Sequence, residues 1–174
     1  MTLRTICLHG PESTGKSTMA ARLGRHFGTP SVAEFGRTYT EAFGTDWTMA
    51  DLVEIARGHD AKSRAAPALG ALPVILDTDP LMTAVWADML FGRRDPWFDQ
   101  WNNAADFYLL FDIDLPWEAD GTRQFGTPEL RRTFFERSKA ELVRRQVRWA
   151  MVKGAGSRRY LNALDAIEEA RREG

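Results

Sequence analysis

Residues 10–17 read Gly-Pro-Glu-Ser-Thr-Gly-Lys-Ser, two glycines separated by four residues and followed by a lysine and a hydroxyl. This spacing suits the holding of an anion. At Gly10 and Gly15 no side chain obstructs a backbone that must curl. The successive amides of Glu12, Ser13, Thr14, Gly15, Lys16, Ser17 and Thr18 can then point inward as a nest, and a helix starting near Lys16 adds the positive end of its dipole. In such a cradle Lys16 reaches the β- and γ-phosphates of a nucleotide and Ser17 offers its hydroxyl to Mg²⁺. The pattern is a Walker A sequence. It arises by chance in roughly one chain of this length per hundred at ordinary glycine usage, so its context decides its meaning.

That context needs a carboxylate at the end of a neighbouring apolar strand, where it can hold Mg²⁺ directly or through water. Asp77 closes the run Pro73-Val74-Ile75-Leu76 in this way. Asp79 stands two residues on and has two readings, a substrate or metal contact or the cap of the helix that follows.

The elements that must position these groups follow from periodicity. Leu3–His9 reads as a buried strand. Lys16–Phe27 reads as a helix with Met19, Leu23 and Phe27 on one face, stopped by Gly28. Residues 31–34 form a short second strand, and Gly36–Phe43 a short helix. Met49–Ala66 is a helix, Pro73–Leu76 a strand and Asp79–Phe91 a helix. Phe107–Phe111 is a strand, whereas Asp112–Gly126 has no regular period. Thr127-Pro128 is a helix start, with a capping hydroxyl before proline at the first helical position. That helix runs to about Arg145, then Val147–Val152 is the last strand and Ser157–Arg172 the last helix. Strand and helix alternate five times, which implies an α/β, three-layer fold with a five-stranded parallel sheet. No repeat, low-complexity tract or linker interrupts residues 1–174, so one domain is expected.

Composition narrows the class. The chain has 174 residues, 44% hydrophobic and 27% charged, with a formal net charge of −1. That balance argues against a general nucleic-acid binder, which carries a basic excess. No apolar run approaches the roughly 18 residues of a membrane span, and the first residues enter a strand pattern without a signal-peptide layout. Cys7 is the single cysteine, and its apolar surroundings read as a packed thiol. A cytoplasmic location is expected, and nothing fixes the oligomeric state.

Further segments occur in a distinctive order after the glycine loop. These are Glu34-Phe35-Gly36-Arg37-Thr38-Tyr39, Gly58-His59, Leu76-Asp77-Thr78-Asp79 and Pro116-Trp117-Glu118-Ala119-Asp120-Gly121-Thr122-Arg123. Over nearly its whole length the chain thereby resembles the nicotinamide riboside kinase domain of NadR-like proteins. The resemblance implies a P-loop kinase fold with a small mobile lid. It also implies ATP-dependent phosphorylation of the 5′-hydroxyl of nicotinamide riboside, giving nicotinamide mononucleotide. The chain departs from some relatives at Ala33, where they carry a tryptophan able to stack on a flat ring.

A kinase of a small hydroxyl substrate places the acceptor in line and a carboxylate beside it. Glu34, at the end of the second strand, is the first candidate and Asp79 the second. Arg37 and Tyr39 are expected to line the acceptor side, Arg37 against a sugar or phosphate and Tyr39 against a base. The lid is expected at about residues 120–132. There Arg123 would bring a guanidinium to the transferring phosphate, and Asp120 would bind ribose hydroxyls or fix Arg123. Trp117 is placed to stack on the substrate ring in compensation for Ala33, while Trp86, Trp101 and Trp149 read as core. His59 and His9 read as structural. Gly154 and Arg159, after the last strand, are candidates for the adenine side, the alternative being a plain turn with Ser157 as cap. A kinase of another nucleoside or small alcohol is the alternative acceptor reading. A regulatory ATPase is the alternative class, disfavoured because no base-reading Asn-Lys-x-Asp occurs.

Overall fold

Five short apolar runs form the strands, β1 Thr5–His9, β2 Ser31–Val32, β3 Val74–Asp77, β4 Phe107–Phe111 and β5 Trp149–Val152. The computed structural model describes residues 2–29, 31–70, 72–119, 121 and 123–173. Every strand pairing is parallel, in the order β2-β3-β1-β4-β5. Parallel neighbours require crossovers, and helices supply them on both faces. The helices are α1 Lys16–Phe27, α2 Phe35–Phe43, α3 Met49–Ala65, α4 Pro80–Phe91, α5 Pro96–Gln100, α6 Pro128–Arg144 and α7 Gly156–Arg172.

The period of two along β1 assigns its side chains to two layers. Ile6 and Leu8 are buried with Met19 and Leu23 of α1 and Ala163 and Ile167 of α7. Cys7 faces the other way, into a cluster with Leu81 of α4 and Phe135 and Leu142 of α6. Cys7 is the packed thiol expected, wholly buried, and burial pushes its pKa up. His9 is likewise buried, with Nε2 at 3.1 Å from the Ser138 carbonyl, and desolvation lowers it to about 3. A third cluster joins Leu52, Ile55 and Ala56 of α3 to Ala84 and Ala87 of α4, so α2 and α3 build outward from α4.

The boundaries follow local chemistry. Gly28 adopts the left-handed conformation that ends α1, as its sequence suggests. Thr127 caps α6 by accepting from the Leu130 amide. Several elements differ from the expected limits, β1 for instance beginning at Thr5 and β3 including Asp77. β2 stops at Val32 because Glu34 already turns into the N-cap of α2. β5 begins at Trp149 because the Val147 amide still closes the end of α6 on the Leu142 carbonyl, after Gln146 at a positive φ of 54°. The cap of α7 is the extended Ala155, and Ser157 lies inside the helix. The short helix α5, capped by Asp95, was not legible because five residues give no period. Among the described residues no helix is long and apolar enough to cross a membrane.

The α2–α3 corner is tied by one carboxylate. Asp51 accepts from the Thr48 amide at 2.7 Å and the Thr48 hydroxyl at 2.5 Å, completing a capping box, and from the Tyr39 hydroxyl at 2.5 Å. These bonds, led by Thr48, hold its carboxyl down to about 2. Its unfolded value is about 3.9, so its contribution to stability is fully present above that pH and is lost as pH falls through about 2. Urea unfolding across this acid window should therefore show a smaller pH-dependent loss for Asp51→Asn than for the parent chain.

Candidate active site

The turn from β1 into α1 has the geometry of a phosphate cradle. Gly10 has φ 128° and Gly15 has φ 82°, values that disfavour side chains. At Gly10 a Cβ would meet the Phe111 carbonyl oxygen of β4 at 2.9 Å, so the packing of the sheet itself requires glycine there. Ser13 between them is also left-handed, with φ 57°. The first turn of α1 carries no acidic residue, leaving its positive end available to an anion. Lys16 lies across the loop, with Nζ donating to the Pro11 carbonyl at 2.5 Å. Desolvation lowers its pKa, opposed by the charges of Glu34, Asp77 and Glu12. A left-handed loop with one lysine laid across it and a helix N-terminus behind it fits the triphosphate tail of a nucleotide.

Asp77 stands beside this loop because β1 and β3 run in register, Leu8 opposite Asp77. It is 3% exposed, and the Ser17 hydroxyl is among the groups that act to lower its pKa. Its Oδ1 is buried and has no protein partner. Burial raises its pKa, with Lys16 and Arg37 acting the other way. An unsatisfied carboxylate oxygen next to a hydroxyl fits a Mg²⁺ that takes its remaining ligands from phosphate and water. Among the described residues no group of three or more His, Cys, Asp or Glu side chains could hold a metal ion, so the chain offers no cage of its own.

Residues of the loop, α2, α3 and α4 line one open cleft of about 310 Å³. Glu12 to Thr18, Glu34, Arg37 and Arg123 all contribute to it, as expected from the sequence. Glu34 is partly buried at the start of α2. Its pKa is raised by desolvation and by the charge of Asp77, with Lys16 opposing. Part of the cleft wall is formed by Trp47 and Trp86, ring centroids 5.3 Å apart and edge to face. Trp86 is thus a lining residue, contrary to its expected place in the core. One turn from Met82 on α4, it packs on Phe125 and Phe134 behind while its front edge faces the cleft. Trp47, Thr40 and Thr83 also line the cleft and went unpredicted. The sequence signal for Thr83, as for Trp86, is faint, since α4 is apolar all round.

Other expected site residues lie elsewhere. Asp79, expected among the catalytic and substrate-binding groups, does not line the cleft: it is 2% exposed, and Oδ1 caps α4 on the Leu81 amide at 2.9 Å. Its Oδ2 accepts from the Tyr108 hydroxyl at 2.5 Å. Tyr39 does not line the cleft, because its hydroxyl is committed to Asp51 and its ring to Phe35 and Phe43. Trp117 is also absent from the lining, its indole packed so closely over Gly126 that a Cβ there would lie 2.8 Å from the ring. Arg159, expected on the adenine side, is 3% exposed and backs the loop. It donates to the Thr14 carbonyl at 3.1 Å, the Asp112 carbonyl at 2.7 Å and the Asp114 carboxylate at 2.5 Å. Gly154 donates to the same Asp114 at 2.5 Å and does not reach the cleft. Asp120 lies outside the described residues. His59 is structural, as expected, with Nδ1 accepting from the Phe35 amide at 3.3 Å and burial lowering it to about 4.

The segment before α6 lies over the loop. The Ser13 hydroxyl accepts from the Glu118 amide at 2.9 Å, and Arg123 reaches Ser13 at 3.4 Å and the Glu118 carbonyl. Glu12 Oε1 accepts from the Gln124 and Phe125 amides, each at 2.7 Å.

Comparison with known proteins agrees with this geometry. The model of the AAA domain family matches residues 5–159. The trifunctional NAD biosynthesis/regulator protein NadR of Salmonella typhimurium is 28% identical over 176 residues, covering 96% of this chain and 42% of that protein. The NadR of Escherichia coli is 31% identical over 140 residues, 76% of this chain and 34% of that protein. The chain therefore spans about two fifths or less of the length of these relatives. A crystal structure of NadR protein in complex with NR superposes with a TM-score of 0.77 at 25% identity, covering 97% of this chain and 52% of that one. The five-stranded parallel architecture is that of the P-loop kinases.

The reassignment of Asp79 is directly testable. Asp79→Ala removes a helix cap and leaves the buried Tyr108 hydroxyl without its acceptor, so urea unfolding should register a loss of about 2–3 kcal/mol.

Proposed function

This chain belongs to the AAA domain family and is homologous to NadR, and from that premise we propose that it is an ATP-dependent nucleoside kinase whose acceptor is nicotinamide riboside. The observation that carries the proposal is that the phosphate loop, the raised carboxylate Glu34 and the tryptophan walls share one cleft. A switch needs the loop alone. An aromatic-walled chamber joined to it, with a carboxylate at the junction, suits a flat-ringed acceptor presenting a hydroxyl.

The loop amides and Lys16 bind and orient the triphosphate, and Ser17 with Asp77 would hold its Mg²⁺, which supplies charge neutralisation when bound. Trp47 and Trp86 together form one wall against which the pyridine ring packs, taking the part of the aromatic absent at Ala33. Arg37 lines the sugar region. Glu34 accepts the proton of the 5′-hydroxyl as its oxygen bonds to the γ-phosphorus and the bond to the β-phosphate oxygen breaks, releasing ADP. Arg123 and the rest of the segment over the loop act as a lid that excludes water and adds a guanidinium near the phosphate.

A panel of nucleosides incubated with ATP and followed by product mass tests this reading. Nicotinamide mononucleotide is the expected product, with Lys16→Ala lowering turnover by at least about a hundredfold. Turnover of a different nucleoside alone would move the acceptor, and no acceptor-dependent turnover would sink the kinase. Because Glu34 must be ionised to take the proton and its pKa is raised, the acid limb of kcat/KM should lie above the ordinary glutamate value of about 4.3. Glu34→Gln should lower kcat by about 10²–10⁴-fold, measured at saturating substrate.

A further inference from the structure

We propose that Glu12 is a positioning residue that ties the phosphate loop to the aromatic wall of the acceptor chamber. Its place in the glycine loop explains only a backbone amide, and any residue supplies one. The side chain does something else. Its Oε1 accepts from two consecutive amides, Gln124 and Phe125, both at 2.7 Å and more than a hundred residues away in sequence. Desolvation raises the Glu12 carboxyl, and the Phe125 and Gln124 amides pull the other way, so the carboxylate is held against its burial by these two bonds.

Phe125 is where the tie becomes functional. It is 8% exposed, and its ring lies 5.0 Å from Trp86 and 5.2 Å from Phe134. Trp86 lines the cleft and meets Trp47. A continuous series of contacts therefore runs from the phosphate loop through Glu12 and Phe125 to Trp86. Ser13 fastens the same segment two turns of chain earlier, at the Glu118 amide. Glu12 holds that segment at Phe125 itself, the residue that packs on the aromatic wall. Whatever orders the loop then also orders the wall, and by linkage the acceptor in turn favours the ordered loop. The inference rests on the acceptor reading for its kinetic consequence and is independent of it for its structural one.

The tie needs a hydrogen-bond acceptor and no proton transfer, so a glutamine amide oxygen can replace the carboxylate. Amide hydrogen exchange at Gln124 and Phe125 should quicken about tenfold or more in Glu12→Ala and return most of the way in Glu12→Gln. In turnover assays Glu12→Ala should raise the acceptor KM about tenfold, and more than it raises the ATP KM, with Glu12→Gln again close to the parent. Unchanged exchange at the two amides in Glu12→Ala overturns the proposal. So does a Glu12→Gln chain as impaired as Glu12→Ala, which would assign the role to charge, and so does an effect confined to the ATP KM. If the parent chain phosphorylates no acceptor, the kinase reading fails, while the exchange measurement still decides whether Glu12 holds the wall.

Discussion

The arrangement depends on the parallel pairing of β1 with β3. Leu8 lies opposite Asp77, and the Thr78 amide continues the ladder by donating to the Leu8 carbonyl at 3.1 Å. The two strands consequently end level. The glycine loop leaves β1 at the same height at which β3 presents its carboxylate, and Ser17, the second residue of α1, stands beside Asp77. On the other flank β4 lies so close that its Phe111 carbonyl fixes residue 10 as glycine. A slip of one residue in either pairing would turn the side chains to the opposite layer and separate the hydroxyl from the carboxylate.

Immediately past this pairing the chain makes an unfavourable turn. Thr78, a β-branched residue, has φ 69°, a conformation that costs of order 1–3 kcal/mol. Its effect is to send neighbouring carboxylates to different places. Asp77 points to the loop with one oxygen unsatisfied, and Asp79 points into the core with both oxygens engaged. Residues two apart on an ordinary strand share a face. The strained turn abolishes that equivalence, so two aspartates that look like a pair in sequence divide into a site residue and a cap.

The same turn marks the border of what the sequence made legible. The sheet, its crossovers and the cradle were readable because each rests on local signals: apolar runs of strand length, a helix cap such as Thr127-Pro128, and glycine at fixed spacing. Asp77 was legible as a site candidate because it closes an apolar strand, and Glu34 because it follows a short apolar run, although that strand ends before it at Val32. Asp79, Tyr39, Trp117 and Arg159 were assigned roles by type and neighbourhood, but their partners Tyr108, Asp51, Gly126 and Thr14 are brought to them by tertiary packing. Trp86 erred in the other direction. On a helix apolar all round, nothing local distinguishes a ring with one face in a cleft from a ring enclosed on all sides.

Arg159 carries a consequence for the order in which the molecule can be made. Its guanidinium, supplied by α7, supports the loop from behind through the Thr14 carbonyl and binds Asp112 and Asp114 at the end of β4. The loop it supports belongs to the first strand–helix unit. During synthesis the glycine loop therefore precedes its backing by some 145 residues. Until α7 arrives, that loop is a segment of left-handed backbone with nothing beneath it, so a nascent chain should acquire affinity for nucleotide only late in its own translation.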